Sequence, residues 1–138
     1  MILESAAVCL ALNIFFEARG DTIEGQYAVA LVTMNRVAEA KTGVCREVFR
    51  SAQFSWTAQC ANSKHRVMSR CKVLLRGQSW EIAKDVASRV LAGTEDFTHG
   101  ANYFYADYIP IPAYLVGAKF RGKFGRHYFY YKDTQHVN

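Results

Sequence analysis

Glu17 is the residue best suited to chemistry. It follows Phe15 and Phe16 at the end of an apolar stretch and precedes Ala18, Arg19 and Gly20. A carboxylate held against aromatic rings resists ionisation, because burial penalises the charged form. Lifting a glutamate from about 4.3 to about 6, the range a general acid needs near neutral pH, takes roughly 2.3 kcal/mol of differential desolvation. One partly buried helix end can supply that. Two plainer roles also suit Glu17: neutralisation by Arg19, or capping of the helix that follows. Metal chemistry is poorly served. His65, His99, His127 and His136 are scattered, and no C-x-x-C or H-x-x-x-H pair occurs, so neither a metal site nor a cofactor is expected.

The elements that must position Glu17 are helical. Val8, Leu12 and Phe16 recur at i, i+4 steps with Phe15 alongside, which predicts a helix over 5–18 ending near Gly20. Asp21-Thr22-Ile23-Glu24 reads as a capping-box variant with Asp21 at the N-cap and Glu24 at N3. A second helix follows, with Ile23, Tyr27, Ala30, Leu31, Met34 and Val37 on one face and Gly43 beyond its end. The two form an αα-hairpin with Glu17 at its corner. Residues 44–56 read as a short helical turn running into Gln53-Phe54-Ser55-Trp56, and 57–70 as a polar, unpatterned stretch. A third helix is predicted from Ser79 as N-cap, through Ile82, Val86 and Val90 with Ala83, Ala87 and Leu91, to Gly93.

The character changes after Asp96, where aromatic residues crowd. Asn102 to Tyr105 and Tyr128 to Tyr131 read as strands. Between them lie a Pro110 and Pro112 turn region and a basic run, Lys119, Arg121, Lys123 and Arg126, which reads as a glycine-hinged loop. The fold class expected is α+β, mainly helical, one domain over 1–138 with a small antiparallel aromatic-rich hairpin. An apolar content of 51% with only 2 prolines excludes global disorder. No apolar run reaches the roughly 18 residues that span a bilayer, so no membrane insertion is expected. Ala6 to Leu12 has the character of a secretory signal core but lacks a positive n-region, and reads instead as a buried helix.

A formal net charge of +5 and a pI near 9.1 would attract nucleic acid, an anionic membrane surface or a polyanionic wall polymer. Cys9, Cys45, Cys60 and Cys71 are too few and too irregular for a disulfide framework. Cys9 reads as a buried thiol. A disulfide between Cys60 and Cys71 is open if the protein meets an oxidising compartment, with free thiols the preferred expectation.

Six ordered blocks carry a resemblance. Phe16-Glu17-Ala18-Arg19-Gly20, then Glu24-Gly25-Gln26 with Ala28-Val29-Ala30 and Asn35-Arg36-Val37, then Cys45, then Gln53-Phe54-Ser55-Trp56, then Gly100-Ala101, and finally Gly125-Arg126-His127 before Phe129-Tyr130 together resemble the SleB-like cell wall hydrolase family. That family includes spore-cortex-lytic enzymes and phage or bacterial peptidoglycan hydrolases. The resemblance runs from about Leu10 to Tyr131. It implies a lysozyme-like, lytic-transglycosylase-like core with Glu17 as the catalytic acid, and Gln53, Ser55 and Trp56 as contacts to the glycan. The chain departs from the family after Gly100-Ala101, where Thr-His-Tyr-His is usual and Asn102-Tyr103-Phe104-Tyr105 stands here. That departure puts in doubt any role needing imidazole. Asn102, Tyr103, Tyr105 and Arg126 remain candidate substrate contacts through hydrogen bonding and sugar stacking.

The resemblance further implies cleavage of the MurNAc-GlcNAc strand as a lytic transglycosylase. Such an enzyme needs one acid or base, because the C6 hydroxyl of the muramic acid itself attacks and gives a 1,6-anhydro product. The expected partner is the peptidoglycan glycan strand, with no nucleic acid, and the expected state is a monomer. A phage endolysin is the implied role, made in the host cytoplasm without a signal peptide and acting on the wall after release or export. A lysozyme-type muramidase is the alternative, and would need a second carboxylate at about 5 Å or about 6.5 to 9.5 Å. Among the recognised blocks the other acids weighed for that place are Glu24 and Asp107. A zinc amidase lacks its ligand spacing. A non-catalytic basic module for wall or nucleic acid would keep its affinity without Glu17 and lose it steeply with salt.

Overall fold

The computed structural model describes residues 5–50 and 54–133. Helix α1 (Ala6–Ala18) begins at Ser5, whose hydroxyl accepts the Val8 N–H at 3.2 Å. Seven consecutive residues, Cys9 to Phe15, are buried. A helix apolar all round belongs inside a protein, and α1 is enclosed by α2 (Ile23–Ala40), α3 (Val44–Phe49) and α6 (Gly77–Gly93). Its one polar core residue, Asn13, is satisfied twice: its amide donates to Thr33 Oγ1 at 3.0 Å and its carbonyl accepts from Trp56 Nε1 at 2.7 Å.

The αα-hairpin forms as the periodicity predicts, but its cap differs. Thr22 and not Asp21 is the N-cap of α2, its hydroxyl accepting the Gly25 N–H at 3.0 Å. Asp21 serves partners far along the chain instead. The stretch read as unpatterned contains α4 (Ser55–Cys60), a bridge between Ala61 and Val67, and α5 (Ser69–Lys72). Helix α6 starts two residues before the expected Ser79 cap and has no side-chain cap. Its buried stripe, Ala83, Val86, Ala87 and Val90, is the expected one.

The C-terminal third forms a three-stranded antiparallel sheet in the order β1-β3-β2: β1 (Tyr103–Ala106), β2 (Lys119–Phe124) and β3 (His127–Tyr131). The β1/β3 pair matches the two predicted strands, with Tyr103 opposite Tyr130. The basic run is a strand, not a loop: Lys119 to Phe124 pair with β3, with a register shift between Phe120 and Gly122. Phe129, Phe104 and Phe124 pack with Ala18, Val29, Val32 and Ala101, docking the sheet on the α1–α2 hairpin.

The thiol expectation is corrected. Cys9 pairs with Cys45, fixing α1 to α3, and Cys60 pairs with Cys71, fixing α4 to α5. Residues separated by 36 and 11 positions are brought together by helix packing, a relationship that spacing alone does not encode.

Candidate active site

Glu17 occupies the last turn of α1, where the buried helix emerges into a cavity of about 710 Å³. Phe15 and Phe16 precede it. The Phe16 ring stacks on Trp56 with centroids 4.8 Å apart, and Phe15 meets Phe16 edge to face. Removal from water lifts the Glu17 carboxyl from 4.5 to about 7, and the Arg36 guanidinium is the one charge pulling it down. Arg19 is not its partner. That side chain lies over the Phe15 ring at 4.9 Å, on the exposed flank of the corner. A carboxyl poised near neutrality both donates and accepts a proton at working pH, the requirement for general acid–base catalysis.

Arg36 reaches the same cavity from the C-terminal third of α2. Its guanidinium lies between two rings, 5.1 Å from the Phe54 centroid and 4.8 Å from that of Tyr103, and its Nε donates to the Asn102 carbonyl at 2.7 Å. Burial lowers its pKa, while Tyr103 and the wholly buried Glu47 act in the opposite direction. Glu47 itself pairs with Arg50, Oε1 to Nη2 at 2.8 Å. The neighbouring Asn35 donates to Asp96 Oδ2 at 3.0 Å and to the Ala101 carbonyl at 2.9 Å. Burial alone would raise the Asp96 carboxyl, but hydrogen bonds from Thr98, Asn35 and the Gly100 N–H outweigh it and hold the group below its ordinary value. Asn35-Arg36 thus ties α2 to the start of β1, the strand that forms one cavity wall.

The opposite side of the corner is closed by Asp21. Its carboxylate accepts the N–H of Thr22 at 2.7 Å and of Arg126 at 3.1 Å, and lies 3.0 Å from His127 Nδ1. Two glycines make room for it. A Cβ on Gly25 would meet Asp21 Oδ2 at 2.8 Å, and one on Gly125 would overlap the same carboxylate. Gly125 also has φ +59, a conformation that other residues adopt rarely.

The residues singled out by sequence separate into two groups. Glu17, Ser55 and Tyr105 line the cavity together. Tyr103 stands behind that wall, its ring 5.7 Å from cavity-lining Tyr114 and over Arg36. Trp56 is a core residue, 7% exposed, with its indole N–H on Asn13. Asn102 is 1% exposed and its amide is committed to Glu39 and to Lys132 main-chain groups. Arg126 holds the corner, donating from its side chain to the Gly20 carbonyl at 3.2 Å. Gln53 lies outside the described residues. Sequence reasoning missed Arg36, Phe54, His65 and Tyr114, all cavity-lining. His65 carries a signal only in three dimensions, its ring stacked on Phe49 at 5.5 Å. Among the described residues no group of three or more His, Cys, Asp or Glu is placed to hold a metal, and no helix is long and apolar enough to cross a membrane.

The cell wall hydrolase family profile matches residues 20–130. The chain belongs to the cell wall hydrolase family. This hydrolase is therefore an enzyme that degrades the wall. The match begins at Gly20, so it covers the cavity walls and not Glu17 itself. In fold the hydrolase is similar to the catalytic domain of the germination-specific lytic transglycosylase SleB from Bacillus anthracis, with a TM-score of 0.72 at 23% identity over 94% of this chain and 97% of that one. It is similarly close to the catalytic domain of the Bacillus cereus SleB protein, TM-score 0.68 at 24% identity over 94% and 93%. At these identities the likeness establishes the fold, a lysozyme-like core. No curated protein sequence matches the hydrolase.

Proposed function

We propose that this enzyme cleaves the glycan strand of peptidoglycan as a lytic transglycosylase, with Glu17 as the single acid and base. One observation carries the reading: Glu17 is the only carboxylate lining the cavity among the described residues, and its pKa is raised to about 7. Protonated Glu17 donates to the glycosidic oxygen, and the GlcNAc C4 hydroxyl departs as the MurNAc C1–O bond breaks. The carboxylate left behind faces the cationic C1. It then takes the proton of the C6 hydroxyl of the same MurNAc as that oxygen closes on C1. The ring closes as a 1,6-anhydro end and Glu17 regains its proton, so no water and no second carboxylate enters the balance.

Arg36, locked between Phe54 and Tyr103, supplies the positive charge that favours the ionised intermediate form of Glu17. Ser55 and Tyr105 add neutral hydrogen-bonding groups to the walls, suited to sugar hydroxyls. An endolysin role, with synthesis in a host cytoplasm and action on the wall by a monomer of one domain, is part of the proposal. Two disulfides support action outside a reducing cytoplasm. The test is Glu17→Gln, which preserves shape and removes the proton. Clearing of a peptidoglycan suspension should fall by about 10² or more, while the strands are still bound. Retention of more than about a tenth of the activity would remove Glu17 from the acid role.

A further inference from the structure

The two faces of the sheet have different work. In β3, His127 and Phe129 are buried against the helices while Tyr128 and Tyr130 alternate to the other side. Register places Tyr105 of β1 opposite Tyr128, and Phe120 of β2 opposite Tyr130. The four rings form one continuous surface. Centroids are 5.3 Å apart for Tyr105 and Tyr128, 6.0 Å for Tyr105 and Tyr130, 5.4 Å for Phe120 and Tyr130, and 6.3 Å for Phe120 and Tyr128. Packing does not require them, since the inner-face phenylalanines 104, 124 and 129 already dock the sheet. The surface has a direction. Tyr105 lines the Glu17 cavity, and Phe120, on the far strand, is 56% exposed.

We propose that this face is a distal subsite for the polysaccharide strand, on which sugar rings beyond those at the scissile bond stack as the strand leaves the cavity past Tyr105. The proposal rests on the glycan-cleaving function argued above. A strand is a polymer and must exit the cavity over some surface, and this one is continuous with the cavity wall. Its chemistry matches a sugar more closely than a lipid tail. Three of the four rings carry phenol hydroxyls. Lys123 lies over the Tyr128 ring at 5.3 Å and pairs with Asp107 at 3.2 Å, giving the platform a polar rim. Aromatic faces meet the C–H faces of pyranose rings while the rim meets their hydroxyls.

Calorimetric titration decides the matter, in the Glu17→Gln background, with peptide-free glycan strands of many disaccharides and with a single disaccharide that fills only the two positions flanking the scissile bond. Phe120→Ala and Tyr128→Ala should each weaken binding of long strands about 3- to 10-fold, the worth of one aromatic contact. Disaccharide affinity should not move, and Phe120→Tyr should retain long-strand affinity. Because Phe120 is largely exposed, its truncation should leave the fold intact, checked by thermal melting. Equal long-strand affinity in the alanine variants would overturn the proposal, as would an equal loss on the disaccharide. A loss of binding to phosphatidylglycerol vesicles in place of glycan would reassign the face to the membrane surface. Long-strand binding with the expected pattern, but products without anhydro ends from the enzyme with Glu17 intact, would instead refute the cleavage chemistry and leave this subsite standing.

Discussion

Asp21 Oδ2 lies 3.0 Å from His127 Nδ1, joining the corner after α1 to β3 across 106 positions of sequence. A carboxylate only accepts, so the ring nitrogen facing it carries the proton. The same carboxylate takes the Arg126 N–H, so one buried side chain fixes the sheet relative to the helix end that bears Glu17. Asp21→Ala leaves three donors without their acceptor. The expected cost is about 2 to 4 kcal/mol, with a melting temperature lower by about 8 to 15 °C. Gly125→Ala should behave in the same direction, because its Cβ enters the space of that carboxylate at φ +59. A melting temperature unchanged in Asp21→Ala would show that the corner is held by other contacts.

Trp56 and Tyr103 should separate under truncation. Trp56 is buried, stacked on Phe16 and bonded to Asn13, so Trp56→Ala opens a core cavity and strands the Asn13 carbonyl. A cost of about 3 to 5 kcal/mol is expected, with activity falling in proportion to the unfolded fraction. Tyr103 is half-buried and covers one face of Arg36. Tyr103→Ala should move the melting temperature by a few degrees and reduce turnover per folded molecule. Thermal melts beside clearing assays distinguish the two, and matching profiles would contradict the different placements.

Much of this arrangement was legible in the residues, and the failures share a cause. Helices α1, α2 and α6 announce themselves through local apolar periodicity, and β1 and β3 through aromatic runs. What sequence reasoning lost depends on distant partners. Asp21 looks like a cap until Arg126 and His127 arrive from the sheet and leave the capping to Thr22. Lys119 to Phe124 looks like a hinged loop because its charges and Gly122 mask a strand whose pairing is entirely with β3. Arg36 looks like an ordinary helix cation until Phe54 and Tyr103 enclose it. Arg126 falls in a block that marks the family and Asn102 in the stretch that departs from it, yet both hold the scaffold and not the cavity wall.

The disulfides should contribute in order of the loops they close. In the chain-entropy model the 36-residue separation of Cys9 and Cys45 is worth about 4 kcal/mol and the 11-residue separation of Cys60 and Cys71 about 3 kcal/mol. Reduction should therefore lower the melting temperature, more in the Cys60→Ser/Cys71→Ser variant, which retains the longer loop, than in Cys9→Ser/Cys45→Ser. Melts with and without reductant check this, and an identical response to reductant in all forms would count against the pairing.

Burial of Glu17 carries a signed pH dependence. Folding raises its carboxyl from 4.5 to about 7, so the folded chain keeps a proton that the unfolded chain has already released. Below about pH 4.5 this costs nothing. Stability falls as pH rises from there through 7, and above 7 the full penalty of about 3 kcal/mol applies. Glu17→Gln should thus be more stable than the parent at pH 8 and equal to it at pH 4. Activity should decline above about pH 7 as the required proton is lost. Equal melting temperatures at pH 8 would mean that the carboxylate is better solvated than its surroundings indicate.

The central claim is that one glutamate serves as acid and then base, and the ends of the products report it directly. Purified peptidoglycan digested to completion and analysed by mass spectrometry should yield MurNAc ends lighter by one water than a reducing sugar, from the parent enzyme and not from Glu17→Gln. Reducing MurNAc ends as the main product would place a water, and a second carboxylate, in the mechanism. Released stem peptides with intact strands would contradict glycan cleavage altogether.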